Sequence, residues 1–367
     1  MECNRIMIQN FRNIEEADIS FDQGVNILYG NNAQGKTNLL EAIGFAAFGK
    51  SFRTSHEEEL IRFGEDFAQI SLDFTDSVRK QNISVRMMPG KRRRIEQNKV
   101  KVEKLSDIVG AFRTVLFCPE HLSLIKDGPA ERRNYLDIAI SQLYPVYLKS
   151  LQRYNQILKQ RNQLIRNAKD DPKTFSDTVE FWSSQLAQEA AVIARYRMRY
   201  LQKASVHIEE CFLEMTGERE KPKAVYIGSS HQDPEEYDNT EKTEKRYFEL
   251  LMDHHEREIG AGSTLWGIHK DDIEIEINGK SARAFASQGQ QRSLALAMKL
   301  AEGEVCASVT GEKPVFLFDD VFSELDFSRR AYLSGKIHGR QVIITTCEPS
   351  GSVGGKMIRV ENGKYFC

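Results

Sequence analysis

The sequence predicts an α/β fold whose two parts lie near opposite ends of the chain, with a mainly helical block inserted between them. Three observations indicate this fold. An apolar run, Val25–Tyr29, precedes a glycine-containing loop and a run at 38–48 that has an apolar helical face. A second apolar run, at 315–320, ends in two carboxylates. Between these runs, residues 129–215 repeat apolar side chains at helical spacing.

The loop at 30–37 matches the pattern G-x-x-x-x-G-K-[ST], in the strand–loop–helix context that a P-loop requires. Its backbone N–H groups and the helix N-terminus are expected to face a phosphate chain. Gly30 and Gly35 allow the tight turn, Lys36 would reach the outer phosphates, and the Thr37 hydroxyl would ligate Mg²⁺. The alternative is a surface turn that happens to carry Lys-Thr. The residues predicted to bind a nucleoside triphosphate are Gly30, Asn31, Asn32, Ala33, Gln34, Gly35, Lys36 and Thr37.

The bulk composition is that of an ordinary globular protein. The 367 residues suffice for two or three domains, and 40% of them are apolar. A formal net charge of −2 provides no global attraction to nucleic acid, so such binding would need local basic patches. Six cysteines without C-x-x-C spacing indicate reduced thiols rather than disulfides or a zinc site. Because no signal core or membrane-length apolar run occurs, we expect a cytoplasmic protein without membrane spans.

Strands account for the rest of the predicted N-terminal part, 1–120. Runs at 5–9 and 17–21 alternate as half-buried strands before the P-loop strand. Two further alternating runs and a basic turn predict an antiparallel ribbon, and a short apolar strand follows it. The runs of the ribbon and of the short strand are at 68–74, 82–88, 95–102 and 115–118.

The middle part, 121–265, is predicted to be a mainly helical insertion, and the last part, 266–367, to complete the α/β domain. Two long helical patterns are expected to pack against each other as an antiparallel pair. The predicted elements are helices at 129–168, 175–215 and 239–258, and strands at 223–227 and 272–277.

The apolar strand at 315–320 ends in Asp319 and Asp320. In P-loop proteins such a strand lies beside the P-loop strand, and its terminal aspartate holds Mg²⁺ through water. This pattern makes Asp319 the predicted metal partner and Asp320 the predicted group that polarises the attacking water. Two acids that merely cap a strand end are the alternative.

Two further motifs flank this strand. The segment 286–292, ASQGQQR, opens an apolar helix for which Ser287 is a suitable N-cap, and a plain helix start would explain it equally well. The segment 323–326, SELD, follows the acids directly. The motifs therefore occur in the order P-loop, Ser-x-Gly-Gln helix, acidic strand, S-x-L-D.

This order resembles the ABC-type ATPase heads, in which a serine-glycine-glycine-glutamine signature precedes the acidic strand and an S-x-L-D loop follows it. Over its whole length the chain more closely resembles the RecF family of the SMC-like group. The segments that carry the resemblance are 10–13 (NFRN), 30–38, 50–53 (KSFR), 119–122 (PEHL), 128–137, 269–272 (HKDD), 286–292 and 318–326.

The resemblance implies an ABC-type P-loop ATPase head with an antiparallel β subdomain and an inserted helical arm domain. It implies ATP and Mg²⁺ as ligands and an ATP-dependent homodimer, in which the signature of one head contacts the ATP of the other. Lys36, Asp319 and Asp320 would then carry phosphoryl transfer to water. Asp326 would cross the interface as part of the S-x-L-D loop. The residues implied for the signature and for that loop are Ser287, Gln288, Gly289, Gln290, Ser323 and Asp326.

Several departures from the ABC pattern predict a slow, switch-like ATPase. Gln288 replaces the first signature glycine, in the form typical of the RecF family. Asp320 stands where ABC heads usually have a catalytic glutamate, and Thr345 or Thr346 where transporters have a switch histidine. Glu120 is placed at the position of the Q-loop glutamine.

The densest basic cluster lies on the predicted ribbon, at Lys91, Arg92, Arg93 and Arg94. Such a cluster is usually a charged turn that faces solvent. With the family resemblance the cluster becomes a candidate for phosphate contacts with DNA, which would position the protein without reading sequence. Arg195, Arg197 and Arg199 are a weaker candidate. The resemblance implies double-stranded DNA at single-strand gap junctions and the RecR protein as partners, with a role in RecA loading.

Two other classes of protein share the predicted site. An ABC transporter subunit would need a membrane partner, and the missing switch histidine and the long helical insertion argue against it. A long coiled-coil SMC-like protein would need a longer insertion than this chain has. A scaffold that binds nucleotide without catalysis would keep the same background hydrolysis after Asp320→Asn.

Overall fold

The computed structural model describes residues 1–217, 220–347 and 354–366, and the chain divides into two compact units. The first unit comprises 1–123, 211–219 and 292–367, and the second comprises 124–210 and 220–291. The domain bounds 1–120, 121–265 and 266–367 stay a prediction. Cys367 lies outside the described residues, and the five described cysteines are free thiols.

The described residues form the following elements. The strands are β1 (Glu2–Phe11), β2 (Ile14–Ser20), β3 (Val25–Tyr29), β4 (Ala68–Thr75), β5 (Lys80–Met87), β6 (Arg94–Gln97), β7 (Val100–Val102), β8 (Thr114–Phe117), β9 (Pro222–Ile227), β10 (Asp272–Ile277), β11 (Lys280–Ser281), β12 (Val315–Asp319), β13 (Val342–Thr346), β14 (Lys356–Glu361) and β15 (Lys364–Phe366). The helices are α1 (Lys36–Phe48), α2 (Pro129–Leu143), α3 (Pro145–Asn167), α4 (Pro172–Thr216), α5 (Thr240–Asp253), α6 (His255–Ala261), α7 (Ala282–Phe285), α8 (Gln288–Thr310), α9 (Val321–Glu324) and α10 (Phe327–Lys336).

The first unit contains two six-stranded sheets. One is antiparallel, in the order β2-β1-β4-β5-β6-β7, and includes the predicted ribbon. The other has the order β15-β14-β3-β13-β12-β8 and is parallel except for its edge strand β15. The P-loop helix α1 contacts β1 and β4 of the first sheet and β12 and β13 of the second. Residues 39–48 of α1 are therefore all buried, which explains why this helix is apolar on more than one face.

The prediction that the acidic strand lies beside the P-loop strand is wrong. The acidic strand β12 pairs with β13 and β8, and β13 lies between β12 and β3. Both β12 and β13 are almost fully buried, as central strands of a parallel sheet are, so their sequences do not distinguish which of them adjoins β3.

The second unit contains α2, α3, α5, α6, most of α4 and the three-stranded sheet β11-β10-β9. The predicted helix at 129–168 is two helices, because Pro145 lacks an N–H group and disfavours helical backbone at Tyr144, which is extended at φ −133° and ψ 100°. The predicted helix at 239–258 also ends early, at Asp253, and α6 begins after His254.

Buried ion pairs hold the helices of the second unit together. Arg161 is fully buried and donates to Glu258, to Ser183 and to the Thr264 hydroxyl. Because a charge removed from water is stabilised only when it is fully paired, these contacts specify one arrangement of α3, α4 and α6. No described helix is long and apolar enough to cross a membrane.

Candidate nucleotide-binding site

The loop between β3 and α1 has backbone positions that only glycine fits. Gly30 has φ 152°, and a Cβ there would lie 2.3 Å from the carbonyl oxygen of Val360. Gly35 has φ 111°, and a Cβ there would lie 2.9 Å from Asn13 Oδ1. The two glycines thus allow the loop to fold against its neighbours while α1 begins directly after it, at Lys36.

Lys36 lies inside this loop. Its side chain is 7% exposed, and Nζ donates to the carbonyl oxygens of Gly30 at 2.5 Å and Asn31 at 2.8 Å. These contacts hold a positive charge at the mouth of a cavity of about 370 Å³, which the loop, both aspartates and Thr345 line. Such a cavity is large enough for a small polar ligand.

The acidic strand meets the P-loop helix at this cavity. The hydroxyls of Thr37 and Thr345 donate to Asp319 Oδ1 at 2.8 and 2.7 Å. Burial raises the pKa of Asp319 above its ordinary value, with a smaller contribution from the charge of Glu120, while the two hydroxyls oppose the shift. A hydroxyl and a carboxylate oxygen at this distance are a suitable donor set for Mg²⁺.

Asp320 follows in a left-handed conformation, with φ 51°. Its N–H donates to the Thr345 hydroxyl at 2.9 Å, while its Oδ1 is buried and has no hydrogen-bond partner among the described residues. An unpaired buried carboxylate oxygen is costly, so this atom fits a bound water or a hydrated cation.

Three residues of the cavity were not predicted as part of the site, namely Asn13, Asn38 and Arg53, and Thr345 was predicted only as one of two threonines at the switch position. Arg53 donates to Asn38 at 2.8 Å, and Asn38 donates to Asn13 at 2.7 Å. The signal for these three was present in the segments 10–13 (NFRN), 30–38 and 50–53 (KSFR), which carry the family resemblance.

Glu41, on the buried face of α1, connects those two segments. It is fully buried, accepts from both Nε and Nη2 of Arg12, and pairs with Arg53 at 3.4 Å. Two arginines on one buried carboxylate fix the loops on either side of the P-loop helix.

The S-x-L-D loop, 323–326, follows Asp320 closely in the first unit. The Ser323 hydroxyl donates to the carbonyl oxygen of Asp320 at 2.7 Å. Asp326 is the N-cap of α10: its carboxylate accepts from the N–H of Arg329 at 2.9 Å, and this hydrogen bond is the main reason why its pKa is lowered.

The signature residues lie at the start of α8, in the second unit. Ser287 is the predicted N-cap: its hydroxyl accepts from the N–H of Gln290 at 3.2 Å, and the Gln290 side chain accepts from the N–H of Ser287 at 2.7 Å. This reciprocal pair is a capping box. Gln288 and Gly289 form the first turn that it stabilises, and Ser287 itself is exposed.

The basic cluster lies in the turn between β5 and β6, and its last residue, Arg94, begins β6. Lys91 is exposed and its side chain has no partner among the described residues, whereas Arg92 donates to a backbone carbonyl at 2.9 Å. Arg93 pairs with Glu57 and lies over the ring of Phe45, 5.5 Å from its centroid. Arg94 pairs with Glu96 at 2.8 Å. The four cations are therefore not equivalent.

The three arginines of α4 that form the weaker DNA-binding candidate also differ in their exposure. Arg197 is 1% exposed and donates to Asp137 at 2.8 Å, so it is unavailable to a partner. Arg195 and Arg199 remain partly exposed on one face of α4, four residues apart.

Comparison with known proteins places the chain among DNA-repair proteins. The family model described as the RecF/RecN/SMC N terminal domain matches residues 2–361. The DNA replication and repair protein RecF of Clostridium acetobutylicum is 35% identical over 370 residues, with 99% of each chain covered. The RecF of Ruminiclostridium cellulolyticum is 40% identical, with 94% of this chain and 92% of that protein covered.

Solved structures agree with these sequence matches. A structure of the recombination mediator protein RecF with ATPrS superposes with a TM-score of 0.93 at 34% identity, covering 99% of this chain and 97% of that one. A RecF–ATP structure from the RecFOR pathway superposes with a TM-score of 0.90 at 36% identity, covering 99% and 96%. An SMC head bound to the winged-helix domain of ScpA, at 17% identity and a TM-score of 0.58, shares the fold alone.

Proposed function

The chain belongs to the RecF family of DNA replication and repair proteins, and from this membership we propose that it is an ATP-dependent recombination mediator. It binds ATP and Mg²⁺, forms a dimer on double-stranded DNA beside single-strand gaps, and supports RecA loading together with RecR in the cytoplasm. The observation that carries the proposal is the meeting of Thr37, Asp319 and Thr345 at the mouth of the P-loop.

ATP is held by the loop at 30–37, whose N–H groups and helix N-terminus cradle the phosphates. Lys36 exchanges its contacts with Gly30 and Asn31 for the outer phosphates. Thr37 and Asp319 would hold the Mg²⁺, which would neutralise charge on the phosphates. Two similar RecF structures are complexes with ATPrS and with ATP, which supports this assignment.

Hydrolysis is slow and acts as a release switch. Asp320 polarises the attacking water through its unpaired Oδ1, and a hydroxyl, that of Thr345, stands where a histidine would be a better proton acceptor. Asp320→Asn is therefore expected to lower phosphate release at least about tenfold while nucleotide binding is kept. Unchanged hydrolysis in this variant would identify the protein as a scaffold.

The dimer forms head to head. The signature, Ser287 to Gln290, faces the partner's P-loop, where Ser287 and Gly289 contact the γ-phosphate, and Asp326 crosses the interface. Two exposed aromatic side chains adjoin these motifs: Phe285 is 74% exposed and Phe327 is 86% exposed. Exposed apolar groups of this size are typical of surfaces that bind a protein partner. Contacts that need the γ-phosphate disappear after hydrolysis, so ATP controls the dimer.

The decisive experiment is the mass of the protein in solution, measured without nucleotide and with Mg-ATP, each with and without duplex DNA. We expect a monomer that becomes a dimer only with ATP, because the signature contacts require the γ-phosphate. A monomer under all conditions would contradict the dimeric mechanism, although the P-loop would remain a binding site. A dimer that forms without nucleotide would contradict ATP control.

A further inference from the structure

A second cavity, of about 480 Å³, lies on the helical second unit, apart from the motifs of the nucleotide site. Three tyrosines line it: Tyr144 at the break between α2 and α3, and Tyr196 and Tyr200 on α4. The rings of Tyr144 and Tyr196 are 5.0 Å apart between centroids, at an angle of 48°. The volume falls within the range of about 300–1,000 Å³ that small ligands occupy, and it suits a single nucleotide rather than a folded partner.

Three cations form a row beside these tyrosines. Arg195, Arg199 and Lys203 line the same cavity at intervals of four residues, so they share one face of α4 and follow each other at about 6 Å along the helix. Arg199 and Lys203 are exposed. The neighbouring row on the helix, Tyr196 and Tyr200, has the same spacing. Aromatic faces and cations therefore alternate in a fixed geometry along one stripe.

One carboxylate faces this row. Asp238 accepts from Arg199 Nε at 2.6 Å and lies 3.8 Å from Arg195 Nε, while Arg195 also donates to Thr240 at 3.4 Å. The carboxylate orients the Arg199 guanidinium group and neutralises one of the three positive charges. Lys203 and the terminal nitrogens of Arg199 have no partner among the described residues, so the stripe keeps a net positive charge.

The tyrosine hydroxyls can act as hydrogen-bond donors in this cavity. The hydroxyls of Tyr144 and Tyr196 have no hydrogen-bond partner among the described residues. Burial, with a smaller contribution from Tyr196, raises the pKa of Tyr144, so its hydroxyl keeps its proton at neutral pH.

We propose that this pocket binds single-stranded nucleic acid, stacking one unpaired base on Tyr144 and Tyr196 while Arg199 and Lys203 contact the adjoining phosphates. The proposal rests on the proposed function, because it assumes that the protein acts on DNA. Any unpaired base can stack on an aromatic ring, and each phosphate of an extended strand can meet one cation of the row. A base inside a duplex is paired and stacked, so it cannot enter. The pocket therefore distinguishes a single strand from a duplex.

The test uses the full-length protein with Mg-ATP and a fluorescein-labelled thymidine homopolymer, with binding followed by fluorescence anisotropy. Tyr196→Ala is expected to weaken binding about fivefold or more, as expected for one lost stacking contact. Lys203→Glu is expected to weaken binding and to lower the salt slope by at least about 0.7, the contribution of one single-strand phosphate.

Lys173→Glu is the matched control for the charge reversal. Lys173 is exposed on the first turn of the same helix, about 45 Å from Lys203 along α4, and we expect wild-type binding in this variant. Because Lys203 is exposed as well, its reversal does not endanger folding, and the charge test holds even if Tyr196→Ala is unstable.

Duplex binding and the ATP-dependent mass are measured on the same variants, and both are expected to stay at wild-type values. Unchanged single-strand affinity in both pocket variants would overturn the proposal while leaving the proposed function intact. Equal losses for duplex and single strand would also overturn it, since only an unpaired base can enter the pocket. A wild-type protein that binds no DNA at all would instead refute the proposed function, and the pocket proposal with it.

Discussion

Thr345 illustrates how a single hydroxyl can connect two neighbouring acidic residues. It donates to Asp319 Oδ1 at 2.7 Å and accepts from the backbone N–H of Asp320 at 2.9 Å, so it fixes the carboxylate of the first and the backbone of the second. A threonine hydroxyl does not take a proton at neutral pH, so Thr345 is not expected to replace a histidine as a base. A slow reaction is the expected consequence.

Lys36→Arg is expected to keep nucleotide binding and to lower phosphate release about a hundredfold or more. The compact ammonium fits between the carbonyl oxygens of Gly30 and Asn31, whereas a planar guanidinium is too wide to reach the same phosphate position. The measurement is steady-state phosphate release beside equilibrium binding of a fluorescent ATP analogue. Wild-type turnover in this variant would exclude the assigned role of Lys36.

His269 makes the stability of the second unit depend on pH. Its Nδ1 lies 2.6 Å from the Tyr154 hydroxyl and its Nε2 lies 3.1 Å from the carbonyl oxygen of Thr264, so the neutral ring accepts from one and donates to the other. Burial lowers the pKa of His269 to about 4, from an ordinary 6.5. Between these values the unfolded chain holds a proton that the folded chain lacks. The free energy of unfolding therefore falls as the pH drops through this window, by about 2 kcal/mol at pH 5.

His269→Gln is expected to be less stable than the wild type at pH 7 and to lose less stability between pH 7 and pH 5. Both tryptophans, Trp182 and Trp266, lie in the second unit, so their fluorescence during urea unfolding reports on that unit. The matched control is His231→Gln, at an exposed histidine of the same unit, which should keep the wild-type pH dependence. An equally steep loss in the His269 variant would place the titrating group elsewhere.

At the scale of elements, the sequence predicts those helices and strands that are specified by residues close to each other in the chain. The P-loop helix, the N-cap Ser287 and the acid-terminated strand β12 are each specified by residues close in sequence, and the structure confirms all three predictions. The break at Tyr144 was missed because the apolar spacing continues through Pro145, although the proline itself was a sufficient signal.

The basic turn between β5 and β6 contains two kinds of cation. Lys91→Glu is expected to weaken duplex binding and to reduce the salt slope by about 0.9 or more, because an exposed cation without a protein partner is available to a phosphate. Lys80→Glu, at the opposite end of β5, is the matched control. The measurement is the affinity for duplex DNA at several salt concentrations, and an unchanged slope for Lys91→Glu would place the DNA surface elsewhere.

Arg93 in the same turn is expected to behave differently. Its side chain is 23% exposed, pairs with Glu57, and lies over Phe45 of the P-loop helix. Arg93→Gln should therefore lower stability by about 1 kcal/mol and leave the salt slope at its wild-type value. Thermal unfolding measures the first effect. A reduced slope in this variant would show that Arg93 leaves Glu57 to contact DNA.

At the scale of the whole molecule, the sequence predicts which segments form the α/β unit but not the order of its strands. The P-loop strand β3 and the acidic strand β12 are separated by β13, which comes from the last part of the chain. Strand order depends on how the connections cross the sheet, and three short strands with buried centres carry no local signal for it. The same limit explains why Thr345, on β13, could be placed near the site only as one of two threonines.

Ser287→Arg tests whether the signature acts between two molecules. The Ser287 side chain is exposed in the single chain, so an arginine can be accommodated there, at the cost of the helix cap, about 1 kcal/mol. In the proposed dimer the same position faces a phosphate-filled P-loop, where a long side chain would separate the heads. We expect ATP binding to be kept and the ATP-dependent dimer to be lost, as measured by light scattering and by equilibrium binding. Ser287→Ala removes the cap without adding bulk and should still dimerise, more weakly. If both variants dimerise like the wild type, Ser287 is only the start of a helix and the two heads meet through another surface.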